Sequence, residues 1–149
     1  MKIKLTYRWN HSEPVYGNSP YIWFHPEVMD APEKVLMGWK NYVLSALSTD
    51  FSQNQQGQLD TVLRKVEDIE KSQLDLYEWE GDGFTHLITR SGVRFEHTVF
   101  GECPGWPIWY CTFAQYKAAL KGYRQFLDMP KSLDSELIVE LPDGAPETS

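Results

Sequence analysis

Tyr77-Glu78-Trp79-Glu80-Gly81-Asp82-Gly83-Phe84-Thr85-His86-Leu87-Ile88-Thr89-Arg90-Ser91-Gly92-Val93-Arg94-Phe95 is the stretch that decides the fold. Residues alternate in character along it, and two glycine-containing breaks, Gly81-Asp82-Gly83 and Ser91-Gly92, divide it. Period-two runs joined by tight turns read as β-hairpins, and hairpin strands pair antiparallel. Three strands are expected, over 73–80, 84–89 and 93–100.

Outward from this core the period changes. A proline-braced loop spans 101–107, and 108–111 reads as a short strand. Thr112 and Gln115 have the spacing of a capping box, so a helix starts there. Its apolar stripe is Phe113, Tyr116, Leu120, Tyr123 and Leu127, and Pro130 stops it. A last strand is expected near 136–141 and a frayed tail over 142–149. Upstream, residues 2–9 place Ile3, Leu5, Tyr7 and Trp9 on one face of a strand. A stretch with Pro14, Gly17 and Pro20 follows, then an apolar run over 21–24. Helices are expected near 31–47, with Asp30 as cap and Pro32 in the first turn, and near 58–71. The polar run 48–57 reads as a loop. The expected architecture is a single α+β domain: an antiparallel sheet of four to six strands packed with two or three helices.

The chain has 149 residues and a net charge of −7. A chain of this size buries enough surface to fold without staples. The acidity argues against direct nucleic-acid binding and against docking on anionic membranes. Two cysteines, Cys103 and Cys111, are too few for a disulfide framework. Residues 1–9 alternate charged and apolar side chains, unlike the apolar core of a signal peptide, and no run approaches a membrane span. The expected location is the cytoplasm.

The acidity is concentrated. Glu67, Asp68, Glu70, Asp75, Glu78, Glu80 and Asp82 are set against Lys71 alone between 67 and 82. Such a segment serves either as a solvated surface or as a functional one. Glu67, Asp68 and Glu70 fall in the last turns of a helix, where the dipole disfavours anions, which favours function. Tyr77, Trp79 and Phe84 are interleaved with the acids. Acids beside exposed aromatic rings suit a basic protein partner. In the loop, Trp106 and Trp109 are either a stiffened aromatic anchor or core plugs, with Trp109 read as core.

Catalytic readings are weaker. His86 and His97 share one strand face. A two-residue turn at Ser91-Gly92 would set them opposite each other, and a four-residue turn would set each against a phenylalanine. Two same-face histidines could bind a metal with Glu102 or Cys103, but a full ligand set at metal spacing is missing, so they read as structural. Cys103 or Cys111 with His97 as nucleophile and base, or Glu78 with Glu80 as acid and base, lacks supporting context. No phosphate-binding loop or hydrolase motif occurs. The chain is therefore expected to be no enzyme and to need no cofactor or metal.

The run Trp79-Glu80-Gly81-Asp82-Gly83-Phe84, Ser91-Gly92-Val93-Arg94-Phe95, Gly105-Trp106-Pro107-Ile108-Trp109 and Phe113…Tyr116…Leu120…Tyr123-Arg124 resembles, in style and spacing, the bacterial immunity proteins of polymorphic toxin systems, including contact-dependent growth inhibition. The resemblance spans roughly residues 75–130 and carries over no binding residue. It implies a small cytoplasmic protein that neutralises a cognate toxin domain, often a nuclease. On the charge pattern, the expected partner-binding set is Asp75, Tyr77, Glu78, Trp79, Glu80, Asp82 and Trp106. A small-molecule-binding or enzymatic domain with an aromatic-lined pocket is the alternative.

Overall fold

The computed structural model describes residues 2–11, 17, 19–51 and 56–146. Among them the elements are β1 (Lys2–His11), β2 (Pro20–Met29), α1 (Glu33–Gly38), a π-helical segment (Trp39–Leu44), α2 (Ser45–Thr49), α3 (Gln56–Glu70), β3 (Leu76–Glu80), β4 (Phe84–Thr89), β5 (Gly92–His97), β6 (Trp109–Cys111), α4 (Phe113–Leu127) and β7 (Glu136–Glu140). The mixed α+β architecture and small single domain are as expected.

The single sheet is not. The strands form two antiparallel sheets, ordered β2-β1-β7 and β3-β4-β5-β6. Strands at opposite ends of the chain make the first: Tyr7 is registered with Phe24 on β2 and with Leu137 on β7. Period-two patterning shows that β1 has an apolar face, but not which sheet that face completes.

The central helix α4 packs against both sheets. Toward β1, the Tyr7 hydroxyl donates to the Ala119 carbonyl at 3.0 Å, and Trp9 stacks on Phe126. Toward the second sheet, Tyr116 meets His86 and Phe95. Thr112 and Gln115 form the expected capping box. The Gln115 side chain also donates to the carbonyls of Pro142 and Gly144. The start of the expected frayed tail is therefore tied down, and 147–149 lie outside the described residues.

Three local expectations change. Asp30 does not cap α1: it has a positive φ of 60°, and Pro32 holds the N-cap position without a side-chain bond. The apolar run at 21–24 belongs to a ten-residue strand, which tolerates Pro26 because β2 is an edge. The stretch 98–100 leaves β5 as a turn, because Val99 and Phe100 amides bond to the His97 ring rather than to a neighbouring strand.

Two of the acids at the end of α3, Glu67 and Glu70, have local partners. Lys71 pairs with Glu67 at 2.9 Å and Lys117 pairs with Glu70. These hydrogen bonds hold both carboxyls below the usual carboxylate range. Lysines compensate the position of these two carboxylates against the dipole, so their placement does not by itself signal function; Asp68 makes no ion pair among the described residues.

Candidate protein-binding face

Strand alternation sorts the second sheet into two faces. Phe84, His86, Ile88, Val93, Phe95 and Cys111 point inward and are buried, with Tyr77, Trp79, His97 and Trp109 half-buried beside them. The outer face carries Leu76, Glu78, Glu80, Thr85, Leu87, Thr89, Arg94, Glu96 and Tyr110, and apart from Gly92 none of its residues is buried. Register aligns Glu78, Leu87, Arg94 and Tyr110 in one cross-strand row and Glu80, Thr85 and Glu96 in the next.

The expected binding set is therefore divided. Asp75, Glu78, Glu80 and Asp82 are exposed. Tyr77 and Trp79 lie on the opposite face of the same strand, so they do not flank the acids at the surface. Trp79 stacks on Phe51 at 4.7 Å between ring centroids, and Lys65 sits over the Tyr77 ring. Trp106 is half-buried, packed edge-on against Tyr42 and Phe84 and tilted against His97. Trp109 is a core plug, as expected: it stacks on Tyr42 and meets Trp39 and Phe95 edge-on, and Gly38 leaves the room its indole fills.

The exposed apolar side chains that accompany the acids are ones the sequence reading missed. Val99 and Phe100 are 73% and 65% exposed. They sit on the turn after β5, next to the β3–β4 turn: Thr98 donates from its amide to the Gly83 carbonyl and from its hydroxyl to the Gly81 carbonyl. Asp82 lies between those two glycines. Phe100 stacks on His97, whose Nδ1 accepts from the amides of Val99 and Phe100. His97 is thereby a bracket for the turn. Reading 93–100 as one strand placed Val99 on the inner face and hid this feature. Among the described residues, Glu78, Glu80 and Asp82 make no ion pair, whereas Arg94 and Glu96 pair with each other at 3.6 Å.

A buried polar network fixes this end of the sheet. Asp50, at the end of α2, accepts from the Gly83 amide at 2.6 Å and from the Phe84 amide at 3.2 Å. His86 lies against Asp50 Oδ2 at 2.9 Å and against the Tyr116 hydroxyl at 2.8 Å. An ionised carboxylate can only accept, so His86 donates from Nε2 and its bare Nδ1 accepts from Tyr116. Burial lowers the pKa of His86, with Asp50 opposing, and raises that of Tyr116. Neither ring reaches solvent, so the triad-like arrangement is a brace that no substrate can touch.

The two histidines are on the same face but not opposed: His86 is registered with Phe95, and Phe84 with His97. Thr89 pairs with Gly92, so the turn is the two residues Arg90 and Ser91, neither the Ser91-Gly92 turn nor the four-residue turn expected, and this one-residue shift sets each histidine against a phenylalanine. Cys111 is buried and its thiol pKa is pushed far up, which disfavours the thiolate. Among the described residues no group of three or more His, Cys, Asp or Glu could hold a metal, and no helix is long and apolar enough to cross a membrane. A groove of about 560 Å³ between α3 and α4 is lined by Leu63, Val66 and charged side chains including Arg64, Glu67 and Lys121, and by no aromatic residue.

No protein-family model, curated protein or solved structure matches the chain.

Proposed function

We propose that this chain is an inhibitor of the immunity type, which captures a basic toxin domain with the acidic outer face of β3 and the adjoining rim formed by the Asp82 and Val99–Phe100 turns. The observation that supports it is one juxtaposition. Glu78, Glu80 and Asp82 lie exposed on β3 and its turn, and the exposed Val99 and Phe100 sit on the neighbouring turn. Singly exposed apolar side chains are ordinary, and it is the grouping of Val99 with Phe100 beside unpaired acids that supports a contact site. The acids attract a cationic partner from a distance, and Phe100 and Val99 give it a desolvated foothold. Many nuclease domains are basic because they grip phosphates, and such a domain is the partner this chemistry fits. The Asp50–His86–Tyr116 brace holds the β3–β4 turn rigid, so little entropy is lost on docking.

The test is to express any toxin-like C-terminal domain encoded by the neighbouring gene in cells and to measure their protection by this chain. Wild-type chain should protect, and Glu78→Lys with Glu80→Lys and Asp82→Lys should not. Equal protection by the triple variant, with unchanged salt dependence of association, would show the acids to be solvated surface only.

A further inference from the structure

The free edge of β3 points to how such a partner docks. The Gly81 amide donates to the Phe84 carbonyl at 2.8 Å, so Gly81 and Phe84 are a hydrogen-bonded pair of the antiparallel ladder. Hydrogen-bonded and non-bonded pairs alternate along such a ladder. The register then makes Trp79 with His86, and Tyr77 with Ile88, bonded pairs. Leu76, Glu78 and Glu80 turn their backbone groups the other way, toward the sheet edge. β3 ends the sheet order, and among the described residues nothing bonds to these three backbones. The same residues carry the exposed outer-face side chains, Leu76 at 52% exposure with both glutamates.

We infer that β3 is a docking edge that takes an extended segment of a basic protein as an added strand, with lysine or arginine side chains of that segment set beside Glu78 and Glu80. The inference rests on the protein-binding reading above and specifies its mode. A strand added here pairs its amides and carbonyls with Leu76, Glu78 and Glu80. Cross-strand neighbours on one face stand close enough for charge pairing, so side chains of alternating residues face the two glutamates. The acids select the occupant: a second copy of this chain would bring glutamates against glutamates, whereas a cationic strand relieves them. The mode is strand addition, in which main-chain bonds give affinity and alternate side chains give specificity. Charged residues also serve to blunt an unused edge, and the experiment separates the two roles.

The probe is a short capped peptide of alternating lysine and valine, and the same peptide N-methylated on the amides that would face β3. Hydrogen exchange of the intact chain is followed by NMR with each. The inference requires the unmodified peptide to slow exchange at Leu76, Glu78 and Glu80 while Tyr77 and Trp79, already bonded to β4, stay as they were. N-methylation should weaken binding about tenfold or more, because each lost donor leaves an acceptor unpaired. Glu78→Pro should do the same without disturbing β3–β4 pairing, since that amide donates to no neighbour, and Glu78→Gln separates the loss of charge from the loss of the amide. Equal binding of both peptides, protection spread evenly over the strand, no binding, or dimerisation of the chain through this edge overturns strand addition. Equal binding of both peptides, abolished by the triple charge reversal, would leave the acidic docking face standing.

Discussion

His86 donates from Nε2 to Asp50 Oδ2 at 2.9 Å, with both side chains fully buried. The bond ties the end of α2 to the second strand of the hairpin sheet, and Asp50 continues it to the Gly83 and Phe84 amides. Removing Asp50 orphans three donors at once. Asp50→Ala should destabilise the fold by about 3 kcal/mol, since bonds to a charged acceptor are worth roughly 1.5–3 kcal/mol each and do not add fully. Urea unfolding should show a lower midpoint at an unchanged slope. A midpoint within error of wild type would mean that the network holds nothing together.

The same pair gives the chain a pH dependence. Burial depresses the folded pKa of His86 below its ordinary value of 6.5, against the pull of Asp50. The unfolded chain therefore binds a proton near pH 6.5 that the folded chain resists. Stability from this group is fully present above pH 6.5 and is lost as the pH falls through the folded value. The loss is limited to about 1.4 kcal/mol per pH unit, the weight of one proton. Unfolding midpoints should drop between pH 7 and pH 5.5 in wild type and stay level in His86→Gln, which starts lower. A flat wild-type profile contradicts the depressed pKa.

Gly122 marks where α4 meets β7. A Cβ there would run into Val139 Cγ2 and lie 3.4 Å from the Tyr7 ring. Gly122→Ala gains about 1 kcal/mol of helix propensity and should still lose stability, because overpacking a filled core costs about 1–3 kcal/mol. Calorimetry should give a lower Tm, and a higher one would show that β7 gives way freely.

Where the sequence was legible, the signal was local. Glycine-containing breaks at 81–83 and 91–92 announce the hairpins, the second one residue late, and Thr112 with Gln115 announces α4. The pairing of β1 with β7 joins residues more than a hundred apart, and nothing near either strand encodes it. Asp50 was unremarkable in a polar run because its acceptors' partners, Gly83 and Phe84, come more than thirty residues later. The division of β3 was legible in principle. Tyr77 and Trp79 differ in parity from Glu78 and Glu80, so alternation alone places rings and acids on opposite faces. Grouping them by proximity in sequence produced a mixed face that the strand cannot present.

That division sets the expectation for Trp79. Its ring stacks on the fully buried Phe51 and meets His86 edge-on. Trp79→Ala should destabilise by about 3 kcal/mol, as large-to-small changes at aromatic packing sites do. Partner affinity measured on the folded fraction should change little. Wild-type stability with lost binding would return Trp79 to the docking face.

Phe100 is the reverse case. At 65% exposure its only ring neighbour among the described residues is His97, and the turn beneath it is held by main-chain bonds from Thr98 and Gly101 and by the Val99 and Phe100 amides donating to the His97 ring, none of which uses the Phe100 side chain. Phe100→Ala should therefore leave stability within about 0.5 kcal/mol. If the ring is a central anchor, the variant should lose about 2 kcal/mol of binding, seen as faster dissociation with association nearly unchanged. The charge reversal at Glu78, Glu80 and Asp82 should do the opposite, slowing association, and raised salt should slow wild-type association in the same way. Stopped-flow mixing with the partner domain reads both rates in one experiment. A Phe100→Ala chain that releases its partner as slowly as wild type removes the anchor from the proposed face, whatever the acids do.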